Sequence, residues 1–221
     1  MFKHEKCTNE KIFEGINRAR VCGVIEKNFD FSHEIYDEKF FQSSVSVQRL
    51  SGVFDNLPVM VSSEIKEQYF GDNAQGKLVG LEGQIRSYNK MGKDGRRHLE
   101  LVLFVKNVTV YESEEDFNLV KNTNEIYLDG FLCRNPNYRV TPFGRHITDF
   151  MLAVNRAHNK TDYLPCITWA YNAEKVAKLE VGERIKLRGR MQSRIFQKVY
   201  EDTGKTEWRT INEISVMNFI E

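Results

Sequence analysis

The 221-residue sequence predicts an all-β protein with one short helix per domain, built as two small β-barrels in tandem. Three observations predict it: short β-branched runs bounded by turn residues, an internal repeat of domain length, and one helix-like stretch in the middle of each copy. An apolar content of 41% supplies enough material for packed cores and too much for a disordered chain.

At an offset of 107 residues Asn17 falls on Asn124, Val21 on Leu128, Gly23 on Gly130 and Val45 on Leu152. Val47, Arg49, Leu57 and Pro58 fall in the same way on Val154, Arg156, Leu164 and Pro165. After one deleted residue Gly76, Val79, Leu81, Gly83 and Ser87 fall on Gly182, Ile185, Leu187, Gly189 and Ser193. A period of this size is a duplicated domain, since solenoid repeats run about 20–50 residues.

In chain order, residues 1–16 read as an N-terminal extension and 17–111 as the first domain, with strands expected at 20–25, 43–47, 78–85 and 99–110. Ser63 begins its helix, over 63–70, which Gly71 closes. Residues 112–123 carry Glu112, Glu114, Glu115 and Asp116 with little periodicity and read as an acidic linker. The second domain, 124–221, repeats the pattern. Its helix is expected over 172–179, with Asn172 as the cap, Ala173, Val176 and Ala177 on one face, and Gly182 beyond the end. Lys93-Asp94-Gly95 and Asp202-Thr203-Gly204 are hairpin turns between the late strands. About five strands with a helix between the third and fourth is the element order of an OB-fold, a Greek-key barrel.

Lys and Arg number 32 against 31 Asp and Glu, a net charge of +1, which excludes binding driven by bulk positive charge. No window approaches about 18 uninterrupted apolar residues, and the N-terminus lacks the apolar core of a signal peptide, so a cytoplasmic protein without membrane contact is expected. Cys7, Cys22, Cys133 and Cys166 show neither CxxC nor ligand spacing, so no metal site or disulfide framework is expected. The five histidines have no ligand spacing, and neither a P-loop nor GxSxG occurs. The expectation is a binding protein without cofactor, not an enzyme.

Alternation along 184–200 sorts its side chains into two faces. Ile185, Leu187, Gly189, Met191, Ile195 and Val199 suit a barrel interior. Arg184, Lys186, Arg188, Arg190, Gln192, Arg194, Phe196, Lys198 and Tyr200 face outward, with no acid among them. Cations interleaved with aromatics suit a phosphate backbone whose bases are unstacked.

The second half then resembles the bacterial single-stranded DNA-binding proteins over nearly all of 124–214. The motifs carrying it are Asn124-x-x-x-Leu128-x-Gly130, Arg134-Asn135-Pro136 and Tyr138-Arg139-Val140-Thr141-Pro142-Phe143-Gly144. They continue with Ala153-Val154-Asn155-Arg156, Tyr163-Leu164-Pro165-Cys166-Ile167-Thr168-Trp169 and Gly189-Arg190-Met191-Gln192-Ser193-Arg194. The resemblance implies base stacking at Tyr163, Trp169 and Phe196. Arg134, Arg139, Arg156, Arg190 and Arg194 are the phosphate-side candidates, with Lys198 beside them on the outward face. It implies sequence-independent binding of single-stranded DNA in replication, recombination or repair, and a homodimer gathering four OB domains.

Two departures shape the expectation. Phe219-Ile220-Glu221 follow the last strand directly, so recruitment of replication or repair proteins through an acidic tail is not expected. The first copy is degenerate: Asn56, Ser62 and Lys90 stand where Tyr163, Trp169 and Phe196 do in the second. It offers instead Phe40, Phe41, Tyr88 and the basic residues Lys90, Lys93, Arg96 and Arg97, either as a second binding surface or as a structural half. The alternatives are a replication-restart-type protein-interaction module, and a phage or mobile-element protein that binds single-stranded DNA or RNA.

Overall fold

The computed structural model describes residues 16–92, 95–199, 204 and 206–220. The side chains of Phe196, Lys198 and Val199, the turn residues Lys93, Asp94, Asp202 and Thr203, and residues 1–15 lie outside the described residues.

The first half forms β1 (Asn17–Ile25), β2 (Asp30–Ile35), β3 (Glu38–Gln48), β4 (Phe54–Ser62), β5 (Leu78–Met91) and β6 (Arg97–Tyr111). The second forms β7 (Asn124–Leu132), β8 (Asn137–Val140), β9 (His146–Arg156), β10 (Lys160–Trp169), β11 (Arg184–Val199) and β12 (Thr206–Ile220). Helix α1 (Ser63–Ile65) runs into a π-helical turn over Lys66–Phe70, α2 spans Glu114–Asn118 and α3 spans Ala170–Val176. Strand order is β2-β3-β4-β6-β5-β1-β7-β11-β12-β10-β9-β8, and the pairings β3–β1 and β7–β9 close each half into a barrel. In each half the strand before the helix pairs in parallel with the last strand, Val59 opposite Leu103 and Cys166 opposite Ile214. These are two tandem OB-folds.

Closure needs glycine at one repeated place. A Cβ on Gly23 would lie 2.3 Å from the Ser46 carbonyl oxygen, and one on Gly130 would lie 2.5 Å from that of Ala153. Inward alternation then fills each barrel: Val45, Leu57, Val59 and Leu81 in the first, Leu152, Leu164, Cys166 and Leu187 in the second, each 2% exposed or less. Burying each such aliphatic side chain is worth about 1.5–3 kcal/mol.

The expected helix over 63–70 is present, and the Ser62 hydroxyl accepts from the Ile65 N–H at 3.3 Å. The helix of the second half differs from expectation. It starts at Ala170, two residues before Asn172, because Ala170 takes a left-handed φ of 51° that turns β10 directly into α3. The Asn172 amide donates to the Met217 carbonyl at 3.1 Å and caps nothing. The acidic stretch 112–123 is not irregular throughout: Ser113 caps α2, accepting from the Glu115 and Asp116 N–H groups, and Phe117 is buried.

The halves meet across a pseudo-dyad. Strands β1 and β7 pair antiparallel with Asn17 opposite Leu128, Ala19 opposite Ile126 and Val21 opposite Asn124, joining the two sheets into one. On either side the repeated asparagines act alike. Asn17 exchanges two hydrogen bonds with the Ile85 backbone, at 2.7 and 2.9 Å, and Asn124 does the same with Met191, at 2.7 and 3.0 Å. The repeated aspartates reach across the junction. Asp55 accepts from the Ser193 N–H at 2.7 Å, and Asp162 accepts from the Ser87 N–H at 2.9 Å.

Candidate nucleic-acid interface

The outer face of the second barrel is built from β10, β9 and the β11–β12 hairpin. On β10, Asp162, Leu164, Cys166 and Thr168 are buried, as is Ile167, while Tyr163 and Trp169 are exposed and Pro165 is half-buried. Tyr163 and Trp169 are 49% and 39% exposed, so both rings are open to a ligand. Without the resemblance the sequence could not separate a surface Trp169 from a core one. The register opposite Ile147 puts it at the outer end of β10, beside the left-handed Ala170.

On β11 the expected alternation holds through Met191, because the irregularity at Gly189 is taken up on β12, where Met217 is skipped. Beyond the barrel it means less. Ile195, expected inside, is 68% exposed on the protruding hairpin, as is Trp208 on the neighbouring strand. The backbone of Phe196 pairs with Arg209 on that hairpin.

The outward cations are not a bare row, because neighbouring strands bring acids to them. Arg184 is held by Asp129 through two bonds of 2.8 Å, and Arg139 by Asp149 at 2.6 Å. Arg194 reaches the buried Glu213 at 3.2 and 3.3 Å, where the Gln192 amide also donates, at 2.9 Å. Arg156 turns toward Asp162, with its Nε at 3.7 Å. Arg134 is exposed. Arg190 is partly buried and lines, with Arg49, Leu50, Leu119, Glu125 and Met217, a cleft of about 370 Å³ between the halves. Burial pushes the Asp149 carboxyl up, against the opposing pull of Arg139. Arg139, Arg184 and Arg194 are thus guanidiniums held in place by carboxylates, which suits phosphate recognition better than mobile lysines do.

The corresponding face of the first half is filled differently. Phe40, Met60 and Val102 are buried in a cluster of their own, with Tyr88 and Phe104 packed against it. Arg86 lies over the Phe104 ring at 3.3 Å, and Phe40 and His33 stack at 5.1 Å. The Tyr88 hydroxyl donates to Glu100 at 3.1 Å and accepts from Gln42 at 3.3 Å. Burial, with Glu100 beside it, pushes that hydroxyl up to about 12. Phe40 and Tyr88 are thus consumed in packing, while Phe31, at 59% exposure, stays open beside Phe41. Lys90 reaches Glu100 at 3.8 Å. Among the described residues no group of three His, Cys, Asp or Glu side chains is placed to hold a metal ion.

Residues 123–219 match the model of the single-strand binding protein family. The single-stranded DNA-binding protein of Oceanobacillus iheyensis is 31% identical over 105 residues, covering 44% of this chain and 63% of that one. Single-stranded DNA-binding protein A of Bacillus subtilis is 36% identical over 81 residues, covering 34% and 47%. The chain thus spans between about half and two thirds of the length of these relatives. The first half is reached by structure. The wild-type single-stranded DNA binding protein from Thermus aquaticus superposes over 94% of this chain and 93% of its own, with a TM-score of 0.70 at 19% identity. That likeness extends the shared fold to both barrels.

Proposed function

We propose that this chain, whose residues 123–219 match the single-strand binding protein family, binds single-stranded DNA without sequence preference in replication, recombination or repair. The observation carrying this reading is the pair of open rings, Tyr163 and Trp169, along β10 of the second barrel, with Arg139 opposite Ile147, as Trp169 is, and Arg194 held on the β11–β12 hairpin. Rings of this kind accept any unstacked base, worth about 1–3 kcal/mol per base, and the arginines neutralise phosphates. Phe196, on the hairpin strand, is the third stacking residue, and Arg134, Arg156, Arg190 and Lys198 complete the phosphate side. The second domain, 124–221, is the principal binding unit and 17–111 its partner, joined by 112–123. Two such chains form a homodimer with four OB domains. Its setting is the cytoplasm, in keeping with the free thiols of Cys22, Cys133 and Cys166; no described helix is long and apolar enough to cross a membrane.

Titration of Trp169 fluorescence with oligo-dT in a Trp208→Phe background tests the site. Strong quenching, with affinity falling as salt rises, is expected. Absence of both quenching and binding would turn the reading to protein interaction, and preference for oligo-rU over oligo-dT would turn it to RNA. Light scattering at a monomer mass would remove the homodimer.

A further inference from the structure

The two junction contacts are related by the pseudo-dyad but differ in strength. At the first, Arg49 closes on Asp55 through two bonds of 2.6 and 2.5 Å and donates a third, at 3.1 Å, to the Ser193 carbonyl. At the second, Arg156 stands 3.7 Å from Asp162, beyond hydrogen-bonding distance. Position 86 distinguishes them. Gln192, its counterpart near the first contact, is neutral and donates its amide to Glu213. Near the second contact the same place is Arg86, a second guanidinium close enough to act electrostatically on Arg156. Two cations now share Asp162, one oxygen of which already accepts from the Ser87 N–H at 2.9 Å. Glu38 lies within electrostatic reach of Arg86. The Nε atoms of Arg86 and Arg156 are both buried, and neither has a hydrogen-bond partner.

A buried donor without a partner is costly, and a pair of them on like charges marks a place that an anion would complete. The anion expected there is set by the neighbourhood. The Tyr163 backbone N–H donates to the Ser87 hydroxyl at 2.9 Å, which ties the base of that exposed ring to the strand carrying Arg86. Phe104 under the Arg86 guanidinium, at 3.3 Å, holds it in one plane.

We propose that Arg86 of the first half and Arg156 of the second jointly bind one phosphate of a single strand stacked on Tyr163, guiding that strand from the second barrel onto the first. This rests on the binding function proposed above and assigns the first half a direct contact with nucleic acid. Burial, together with Arg156, lowers the proton affinity of Arg86 in the free protein, and a bound phosphate reverses that pressure.

The test compares oligo-dT of about 30 nucleotides, long enough to leave one OB domain, across a salt series in the Trp208→Phe background. Arg86→Gln, which copies the residue at the symmetric place, is expected to weaken binding about fivefold and to flatten the log–log salt slope by about 0.7, one phosphate's worth. Arg156→Gln should do the same. The double variant should lose about 0.7 in total and not about 1.4, because the two side chains share one phosphate. Should Arg86→Gln lower the melting temperature through its contact with Phe104, Arg86→Lys carries the test: the slope is retained while affinity falls. Unchanged affinity and slope in Arg86→Gln and in Arg86→Lys, with Trp169 quenching intact, would overturn the phosphate site and leave the binding function standing. Loss of quenching in the parent protein would overturn the binding function itself.

Discussion

The two barrels share a backbone plan and diverge on the face that each turns outward. Where the second half has Ser215 and Glu213 on its last strand, the first has Phe104 and Val102, placed opposite the preceding strands in the same register. Polar residues in the second half hold arginines out toward a ligand, and rings in the first half pack on one another. The rim shows the converse: Tyr163 and Trp169 stand open in the second half, where the first has Asn56 and Ser62. Aromatic content alone is therefore a poor guide to a stacking surface. What counts is whether a ring has neighbours to pack on, and the first half supplies them through Phe40, Met60 and Val102.

The sharpest way to break this contrast is to remove rings from each side. Trp169→Ala combined with Phe196→Ala should weaken oligo-dT binding at least about tenfold, given about 1–3 kcal/mol per stacked base, while Tyr88→Ala should change it less than about threefold. Equal losses measured by fluorescence anisotropy would erase the distinction between the halves.

The junction offers the next largest effect. Asp55→Ala leaves Arg49 and the Ser193 N–H without their acceptor and should cost about 3 kcal/mol in urea denaturation. Asp162→Ala should cost distinctly less, because Arg156 is not closed on it. Equal costs would mean that the two contacts are energetically symmetric despite their geometry.

Acid sharpens the same point. Burial pushes the Asp55 carboxyl up, but hydrogen bonds from Arg49 and the Ser193 N–H, with the Arg49 charge, outweigh it and hold the group below its ordinary 3.8. A carboxyl depressed by folding stabilises fully above its unfolded value and loses that contribution as pH falls through the folded one. Urea midpoints between about pH 6 and pH 2.5 should therefore fall more steeply for the parent protein than for Asp55→Asn. Parallel curves would show that Asp55 carries no linked proton.

The smallest effect concerns the approach to Trp169. Ala170→Gly should raise stability by roughly 0.5–1 kcal/mol, since glycine takes a φ of 51° without the clash of a Cβ. Oligo-dT affinity should stay within about twofold. A loss of stability would mean that the unfolded-state entropy of glycine outweighs the relief.

Much of this was legible in the residues. The repeat predicted the duplication, and several of its identities are functional parts of the junction: Asn17 and Asn124, Arg49 and Arg156, Ser87 and Ser193. Alternation correctly sorted β11 as far as Met191. Strands β2 and β8 escaped notice because they are largely exposed, β8 completely so, and lack an inward apolar face to show as alternation. Asn172 looked like a cap because its type favours caps, yet the helix starts earlier at a left-handed alanine, which no local pattern announces.

The sequence by itself determined the all-β class, the duplication, the helix in each copy and the residues available to an outward face, because alternation and repeats are properties of a chain read along its length. Tertiary structure alone decided which cations are held and by what, since Asp129, Asp149 and Glu213 arrive from neighbouring strands whose register is set by the sheet. It also decided that Phe40 and Tyr88 are packed, that Tyr163 and Trp169 are open, and that Arg86 lies within electrostatic reach of Arg156 across the junction. Each depends on distances between strands, and those are set only when the two barrels close and their first strands pair.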